Sequence, residues 1–328
     1  MPTNMPPEYF DAEKRYKQAQ TVQEKIERLT ELLGTIPKHK GTDKIRADYR
    51  RRLSKLRSQA QQKKGAVRHD SAFVIDKEGA GQVAIVGPPN VGKSTLLTRL
   101  THATPDIADF PMTTWTPTPG MMKYEDIQIQ LIDTPPLTSE HIEHELYDLI
   151  KRVDLVLLML SLHKDPGGQL DECLDLLKNK RIYPQHLKDS LIETKGFKFL
   201  PFHLVVNKYD GQEEDEEFDI FCEFLPQPWP LLPISAQTCR NLDQLKEIVF
   251  HKLDIIRIYS KVPGKPPALD SPFVLEKGST VEEFAQNVHH DFVDNLKMVR
   301  MWGEGVFDGQ NVPRNHILHD KDIVELHI

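Results

Sequence analysis

The chain is poor in cysteine, with Cys173, Cys222 and Cys239 its only three in 328 residues. Their spacing matches no zinc-ligand pattern and an odd, sparse set builds no disulfide framework, so a reducing compartment is expected. Long apolar runs are also lacking. A membrane-spanning helix needs about 20 predominantly apolar residues. The longest run here, Val153 to Leu162, is shorter, contains Asp154 and reads as a core strand. The opening Met1-Pro2-Thr3-Asn4-Met5-Pro6-Pro7 has no apolar signal region. These absences predict a cytoplasmic protein with no membrane partner. Histidines are present, but the i,i+3 pairs His141/His144 and His316/His319 have no further ligand nearby in sequence for a tetrahedral metal site.

Charge is unevenly distributed. The whole chain carries a formal −7, yet residues 1–65 hold 16 Lys+Arg against 8 Asp+Glu. A basic segment on an acidic body points to a polyanion partner for that segment alone. Within it, Ile26, Leu29 and Leu33 share one helical face over residues 8–33. A breaker follows at 34–41. Ile45, Tyr49, Leu53 and Leu56 then repeat at helical spacing over 42–63. The prediction is a helical hairpin over 1–65 whose outer face shows Arg50, Arg51, Arg52, Lys55 and Arg57.

The next stretch organises the rest. Gly87-Pro88-Pro89-Asn90-Val91-Gly92-Lys93-Ser94 reads G-x-x-x-x-G-K-S, the phosphate-binding loop pattern. The apolar run Gln82 to Val86 precedes it and a helix start follows from Thr95. Strand, loop and helix is the context the pattern requires. Inward-pointing backbone N–H groups cradle phosphate oxygens, and the helix N-terminus adds partial positive charge. Lys93 is placed to reach the β and γ phosphates, and the Ser94 hydroxyl to ligate Mg2+.

Downstream, short β-type runs alternate with helical patterns. Strands are expected at 121–124, 127–133, 155–161, 202–206 and 231–234, and helices at 138–152, 170–179 and 242–256. That alternation predicts an α/β fold with a mostly parallel sheet and helices on both faces, and ligands beyond the carboxyl ends of the strands. Asn207-Lys208-Tyr209-Asp210 follows one strand end. A carboxylate at Asp210 can accept from the N1–H and exocyclic amine of guanine, a donor pair that adenine lacks. Ser235-Ala236-Gln237 follows the next strand end and can hold the base through backbone contacts. This guanine signature and the missing Arg-rich lid disfavour a P-loop kinase of small molecules. Lys261 to Pro267 then reads as a linker into a small α+β unit, in which Thr280-Val281-Glu282-Glu283 is a capping box opening a short helix.

These features resemble the Obg/Drg family of GTPases, the developmentally regulated GTP-binding proteins. Residues 66–260 are similar to the G domain, 1–65 to the basic hairpin of Drg-type members, and 270–328 to the TGS domain, a β-grasp module. The loop with Asn90 inside it, and Ile107-Ala108-Asp109-Phe110-Pro111 leading into Thr113-Thr114, carry the family-specific likeness. The domain that Drg proteins insert in the G domain has no room between 161 and 202.

The resemblance implies GTP hydrolysis and a ribosome or translation partner. It implies Thr114 and Asp133 as Mg2+-associated switch residues, and Asn90 as a holder of K+ near the phosphates. Asn90, Lys93 and Thr114 are then the catalytic candidates. Gly87, Pro88, Pro89, Asn90, Val91, Gly92, Lys93, Ser94, Thr95, Asp133, Asn207, Lys208, Asp210, Ser235, Ala236 and Gln237 are the nucleotide-binding set.

One departure stands out. The family's D-x-x-G reads Asp133-Thr134-Pro135-Pro136, so the backbone donor to the γ-phosphate is missing. Leu137 replaces a water-positioning Gln. Slow hydrolysis follows, or a GTP/GDP-binding scaffold with negligible turnover.

Overall fold

The computed structural model describes residues 12, 14–16, 22–36, 49, 51–53, 72–101, 116–139, 144–191, 194–226 and 228–327. The chain divides into two units, Met1–Ser71 and Ala72–Ile328. No helix among the described residues is long and apolar enough to cross a membrane.

In the first unit, helix α1 (Val22–Thr35) buries Leu29, Leu32 and Ile36 with Ala12. Tyr16, Tyr49 and Leu53 pack against this cluster; Ile45 and Leu56 of the second expected stripe lie outside the described residues. The inward face differs from expectation by one position. Leu32 is fully buried and Leu33 only half-buried, because Leu29, Leu32 and Ile36 fall at i, i+3 and i+7 on a single stripe. The side chain of Ile26 lies outside the described residues. On the basic face, Arg51 and Arg52 are exposed and the Arg52 guanidinium sits 5.7 Å over the Tyr49 ring. Arg50, Lys55 and Arg57 are not among the described residues.

The second unit begins with a six-stranded sheet. Its strands are β1 (Gln82–Val86), β2 (Thr118–Tyr124), β3 (Ile127–Asp133), β4 (Leu155–Ser161), β7 (Phe202–Asn207) and β8 (Leu231–Pro233), in the order β2-β3-β1-β4-β7-β8. Only β2 runs antiparallel to its neighbour. The central strands are buried along their whole length, which is why they read as unbroken apolar runs. Two helices, α2 (Lys93–Leu100) and α6 (Leu242–Lys252), cover one face and pack Leu96, Leu97, Leu245 and Val249 against Val83, Ile85, Leu157 and Val205. The other face is covered by α3 (His144–Ile150), α4 (Pro166–Asn179) and α5 (Asp215–Phe224), with Leu149, Leu170, Leu177 and Phe221 on Ala84, Val156, Leu158 and Leu204. Between α4 and β7 lies a two-strand parallel ribbon, β5 (Ile182–Pro184) with β6 (Lys198–Leu200). Sequence patterning does not resolve it, because three residues are too few to show a period.

The C-terminal sheet contains β9 (Ile255–Lys261), β10 (Phe273–Glu276), β11 (Met298–Trp302), β12 (Gln310–Asn311) and β13 (Asp322–His327), in the order β10-β9-β13-β11-β12. Helices α7 (Val281–Val288) and α8 (His290–Asn295) join β10 to β11, and Phe284 and Ala285 fill the core beneath the sheet. The Thr280 capping box is present, with Thr280 Oγ1 accepting from Glu283 N and the Glu283 carboxylate accepting from Thr280 N at 2.7 Å.

Two boundaries shift from those expected. Helix α6 stops at Lys252, not at 256, and β9 starts at Ile255, with two residues between them. The expected domain break at 260–270 therefore falls inside the second sheet. β9 pairs antiparallel with β10 and parallel with β13, so 262–272 is a loop between strands of one module and not an interdomain linker. The physical reason is that Ile255, Ile256, Ile258 and Tyr259 continue the apolar pattern of the helix while being β-branched or aromatic.

The two sheets are clasped around the Arg257 guanidinium. Arg257 on β9 is 2% exposed and forks onto both Asp320 oxygens at 3.0 and 2.7 Å. The same guanidinium donates to Asp126 at 2.8 Å and Glu125 at 2.5 Å, both in the β2–β3 turn. It also stacks 4.8 Å over the Phe250 ring of α6. Tyr259 donates to the other Asp126 oxygen at 2.5 Å, and Lys321 pairs with Glu125 at 3.0 Å. Bonds from Arg257 and Lys321 hold Glu125 below its usual range. Burial works against ionisation of Asp126, but the Tyr259 and Arg257 bonds outweigh it and lower its pKa as well.

Candidate functional site

The loop between β1 and α2 is shaped by two glycines. A Cβ on Gly87 would lie 2.2 Å from the Met159 carbonyl oxygen of the neighbouring strand. Gly92 has φ +99°, and a Cβ there would lie 2.5 Å from Asn207 Nδ2. No larger residue fits either place without moving the loop. Lys93 is buried and curls back over the loop, donating to the Gly87 and Pro88 carbonyls at 3.1 and 2.9 Å. Burial lowers its pKa to about 8, against the opposing pull of Asp133. Pro89, Asn90 and Thr95 are exposed, and Asn90 has φ +62°.

Asp133 ends β3 directly beside this loop. Ser94 Oγ donates to Asp133 Oδ2 at 2.5 Å, while the buried Oδ1 has no partner. Burial raises the Asp133 pKa, opposed by the Ser94 bond and by Lys93. A hydroxyl, a carboxylate with a free buried oxygen and a nearby ammonium form a donor set suited to a hydrated divalent cation carrying phosphates. The residues present thus fit Mg2+.

The chain after Asp133 is pinned along the loop. Thr134 Oγ1 donates to Ile85 O at 2.8 Å and Leu137 N donates to Gly87 O at 3.0 Å. Pro136 is half-buried and offers no N–H. The Leu137 side chain is 2% exposed and packs into the core beneath α3 and α4. It faces away from solvent and cannot orient water.

The base-recognition segments meet the loop through Asn207. Its Nδ2 donates to Val91 O at 2.7 Å, and its Oδ1 accepts from Ala236 N at 2.9 Å. One buried amide therefore ties together the phosphate loop, the end of β7 and the turn after β8. Lys208 follows at φ +70°, a left-handed conformation that costs free energy for a side chain with a Cβ. Asp210 accepts from Ser235 Oγ at 2.5 Å, and Ser235 Oγ in turn accepts from Thr238 N at 2.9 Å. Ser235 and Ala236 are buried and Gln237 is exposed.

Arg240 supports the same corner, with its guanidinium 3.9 Å from the Tyr209 ring centre and a bond to Gly211 O. Sequence reasoning overlooked Thr134, Thr238 and Arg240. They brace functional residues by folding back on them and have no local signature. Of the expected set, Gly87 to Thr95, Asp133, Asn207, Lys208, Asp210 and Ser235 to Gln237 converge at the carboxyl ends of β1, β3, β7 and β8. Thr113 and Thr114 lie outside the described residues. Among the described residues there is no group of three or more His, Cys, Asp or Glu side chains placed to hold a metal ion.

Known proteins share these parts. The 50S ribosome-binding GTPase family profile matches residues 82–208, and the TGS domain profile matches 256–328. A GTP-binding protein of Methanocaldococcus jannaschii is 28% identical over 369 aligned positions, covering 93% of this chain and 92% of that one. The alignment is longer than this chain's 328 residues, so the relative holds stretches without a counterpart here. Developmentally-regulated G-protein 1 of Arabidopsis thaliana is also 28% identical, covering 92% and 90%. Among solved structures, the YchF GTPase of Schizosaccharomyces pombe superposes with a TM-score of 0.51 at 11% identity, over 77% of this chain and 99% of that one, a likeness of fold.

The fold and the loop define a P-loop GTPase domain that binds GTP. The C-terminal part matches the TGS domain, and over nine-tenths of its length the chain is similar to the developmentally regulated GTP-binding proteins. The TGS match begins at 256, in agreement with β9 as its first strand.

Proposed function

We propose that the chain hydrolyses GTP to GDP and phosphate slowly, with Mg2+, as a ribosome- or translation-associated switch in the cytoplasm. The observation that carries this reading is the Ser94–Asp133–Lys93 cluster, with a buried Asp133 oxygen that has no protein partner. Bound Mg2+ neutralises phosphate charge there. Lys93 holds the β and γ phosphates, Ser94 and Asp133 hold the cation and its water, and Thr114 supplies the switch ligand. The loop amides from Gly87 to Thr95 cradle the phosphates. Asp210 selects guanine, Lys208 lies along the base, and Ser235, Ala236 and Gln237 close over it.

Turnover is slow in this reading because Leu137 is locked in the core and Pro136 donates nothing. The exposed Pro89 crowds any arginine brought in from a partner. In this reading Asn90, which is exposed on the loop, holds K+ through its amide oxygen. Preorganised positive charge at such a point is worth about 10²–10³ in rate. Single-turnover GTP hydrolysis in matched KCl and NaCl is expected to be faster in K+, with Asn90→Ala removing the difference. Equal rates for wild type and variant in both salts would refute K+ assistance. The buried Leu137 and its N–H bond to Gly87 favour a second reading, a GTP/GDP-binding scaffold, which negligible turnover under all conditions would establish.

The matched family's description, 50S ribosome-binding GTPase, and the basic N-terminal segment support a ribosome or RNA partner. Removing residues 1–65 is expected to weaken RNA or ribosome binding and flatten its salt dependence, since fewer counterions are released. Guanine-nucleotide affinity should change little. An unaltered salt slope in the shortened protein would assign those charges to solvation.

A further inference from the structure

The six-stranded sheet has a second cleft at its other end. It lies where β7 and β8 begin and α6 finishes, and encloses about 510 Å³. Four residues of β7, roughly 13 Å, separate its floor at His203 from Asn207 of the GTP site. A cavity of this size is in the range of small-molecule sites.

His203 is 4% exposed, and neither ring nitrogen has a hydrogen-bond partner. A buried imidazole with both nitrogens unsatisfied is costly, and a partner that reached either nitrogen would relieve that cost. Lys252, at the end of α6, reaches the same cleft and has no ion-pair partner among the described residues. Burial and then the Lys252 charge lower the His203 pKa to about 4, and the same two causes lower that of His186 across the cleft. His186 is held edge-on to the Trp229 ring at 4.5 Å. The lining also includes His251, whose ring lies 3.8 Å from Glu247, and one carboxylate, Asp254. Pro201, Phe202, Pro230 and Ile248 supply an apolar wall. One ammonium, three imidazoles and the Gln185 amide set against the single Asp254 carboxylate favour an anion on an organic body over a cation.

The geometry points to a binding site for a small organic oxyanion, a carboxylate or phosphomonoester, seated between the His203 imidazole and the Lys252 ammonium with its apolar body on Pro201, Pro230 and Ile248. The site is separate from the GTP site and does not depend on hydrolysis. His203 donates one N–H to the oxyanion, and Lys252 supplies the charge.

The test uses the full chain saturated with Mg2+ and GDP, so that the phosphate loop cannot take up the probe. Histidine-labelled protein is titrated with phenyl phosphate, benzoate and, as a neutral control, benzyl alcohol, and the His203 ring signals are followed by NMR. Those signals are assigned by their loss in His203→Gln. One or both anions should shift the His203 signals saturably, which also identifies the preferred headgroup, and raise the His203 pKa from about 4. Lys252→Gln should weaken anion binding about tenfold, as loss of a charged hydrogen bond does. Lys252 is exposed, so this variant tests the site even where His203 variants fold poorly, and unchanged GDP affinity is its control. The inference is overturned if neither anion shifts His203, if benzyl alcohol binds as well as the anions, or if Lys252→Gln binds them as tightly as wild type.

Discussion

Asp210→Asn should exchange guanine for xanthine specificity with little change in stability. Ser235 donates to Asp210 Oδ1, and an Asn oxygen at that place keeps the bond. The other carboxylate oxygen becomes an amide NH2, which meets the guanine amine donor to donor. Xanthine carries a carbonyl there instead and accepts the new donor. Loss of charge-assisted bonds in a built site costs each about 1.5–3 kcal/mol, so GDP affinity should fall by roughly a hundredfold or more. Calorimetric titration with GDP, XDP and ADP checks this. Ser235→Ala, which removes only the orienting bond, should lose less. A variant that keeps wild-type GDP affinity, or a wild type that takes ADP equally well, would dismiss Asp210 as the base selector.

Arg257→Ala should loosen the TGS module from the G domain. The guanidinium is buried and faces Asp320, Asp126 and Glu125, so its removal leaves carboxylates without their main counter-charge. Breaking a fully buried pair costs about 3–5 kcal/mol; the carboxylates left here are 20–47% exposed and Glu125 keeps Lys321, so the loss should fall below that range. Arg257→Lys should rescue little, because an ammonium cannot fork onto Asp320 while reaching the β2–β3 turn. Scanning calorimetry should show one transition dividing into two, the lower belonging to the C-terminal module. Glu125 and Asp126 have lowered pKa values in the folded protein. Their contribution is therefore full above the ordinary carboxylate range and fades as pH falls through the lowered values. A variant that unfolds in a single transition at the wild-type temperature would show that the clasp contributes nothing.

How far sequence sufficed depends on how local each feature is. Gly87 to Ser94, Asn207 to Asp210 and the Thr280 capping box each occupy a few consecutive residues, so their geometry is readable in order. The buried strands were legible from their unbroken apolar runs. The joint between modules was not, because Ile255 to Tyr259 satisfies helical and extended patterns alike, and only pairing with β10 and β13 decides between them. Pro263, Gly264, Pro266 and Pro267 describe a loop without saying whether it joins domains or strands. The Arg257 clasp unites positions more than 60 residues apart, two of them more than 130 apart, so no short pattern announces it. Likewise, Asn207 reads as a base-side residue, but its side chain acts first as a tie between three loops.

With only Leu253 and Asp254 between α6 and β9, the C-terminal module has almost no slack. Its second attachment is the β2–β3 turn, at the start of the strand whose last residue is Asp133. That strand is seven residues long, a stiff beam of roughly 20 Å, with the Asp133 carboxylate at one tip and the Arg257 grip at the other. A tilt of the beam at Asp133 must displace the TGS sheet or break the grip. The module is in this sense a pointer fixed to the frame of the GTP site, and anything that docks on it is held in register with the position of Asp133.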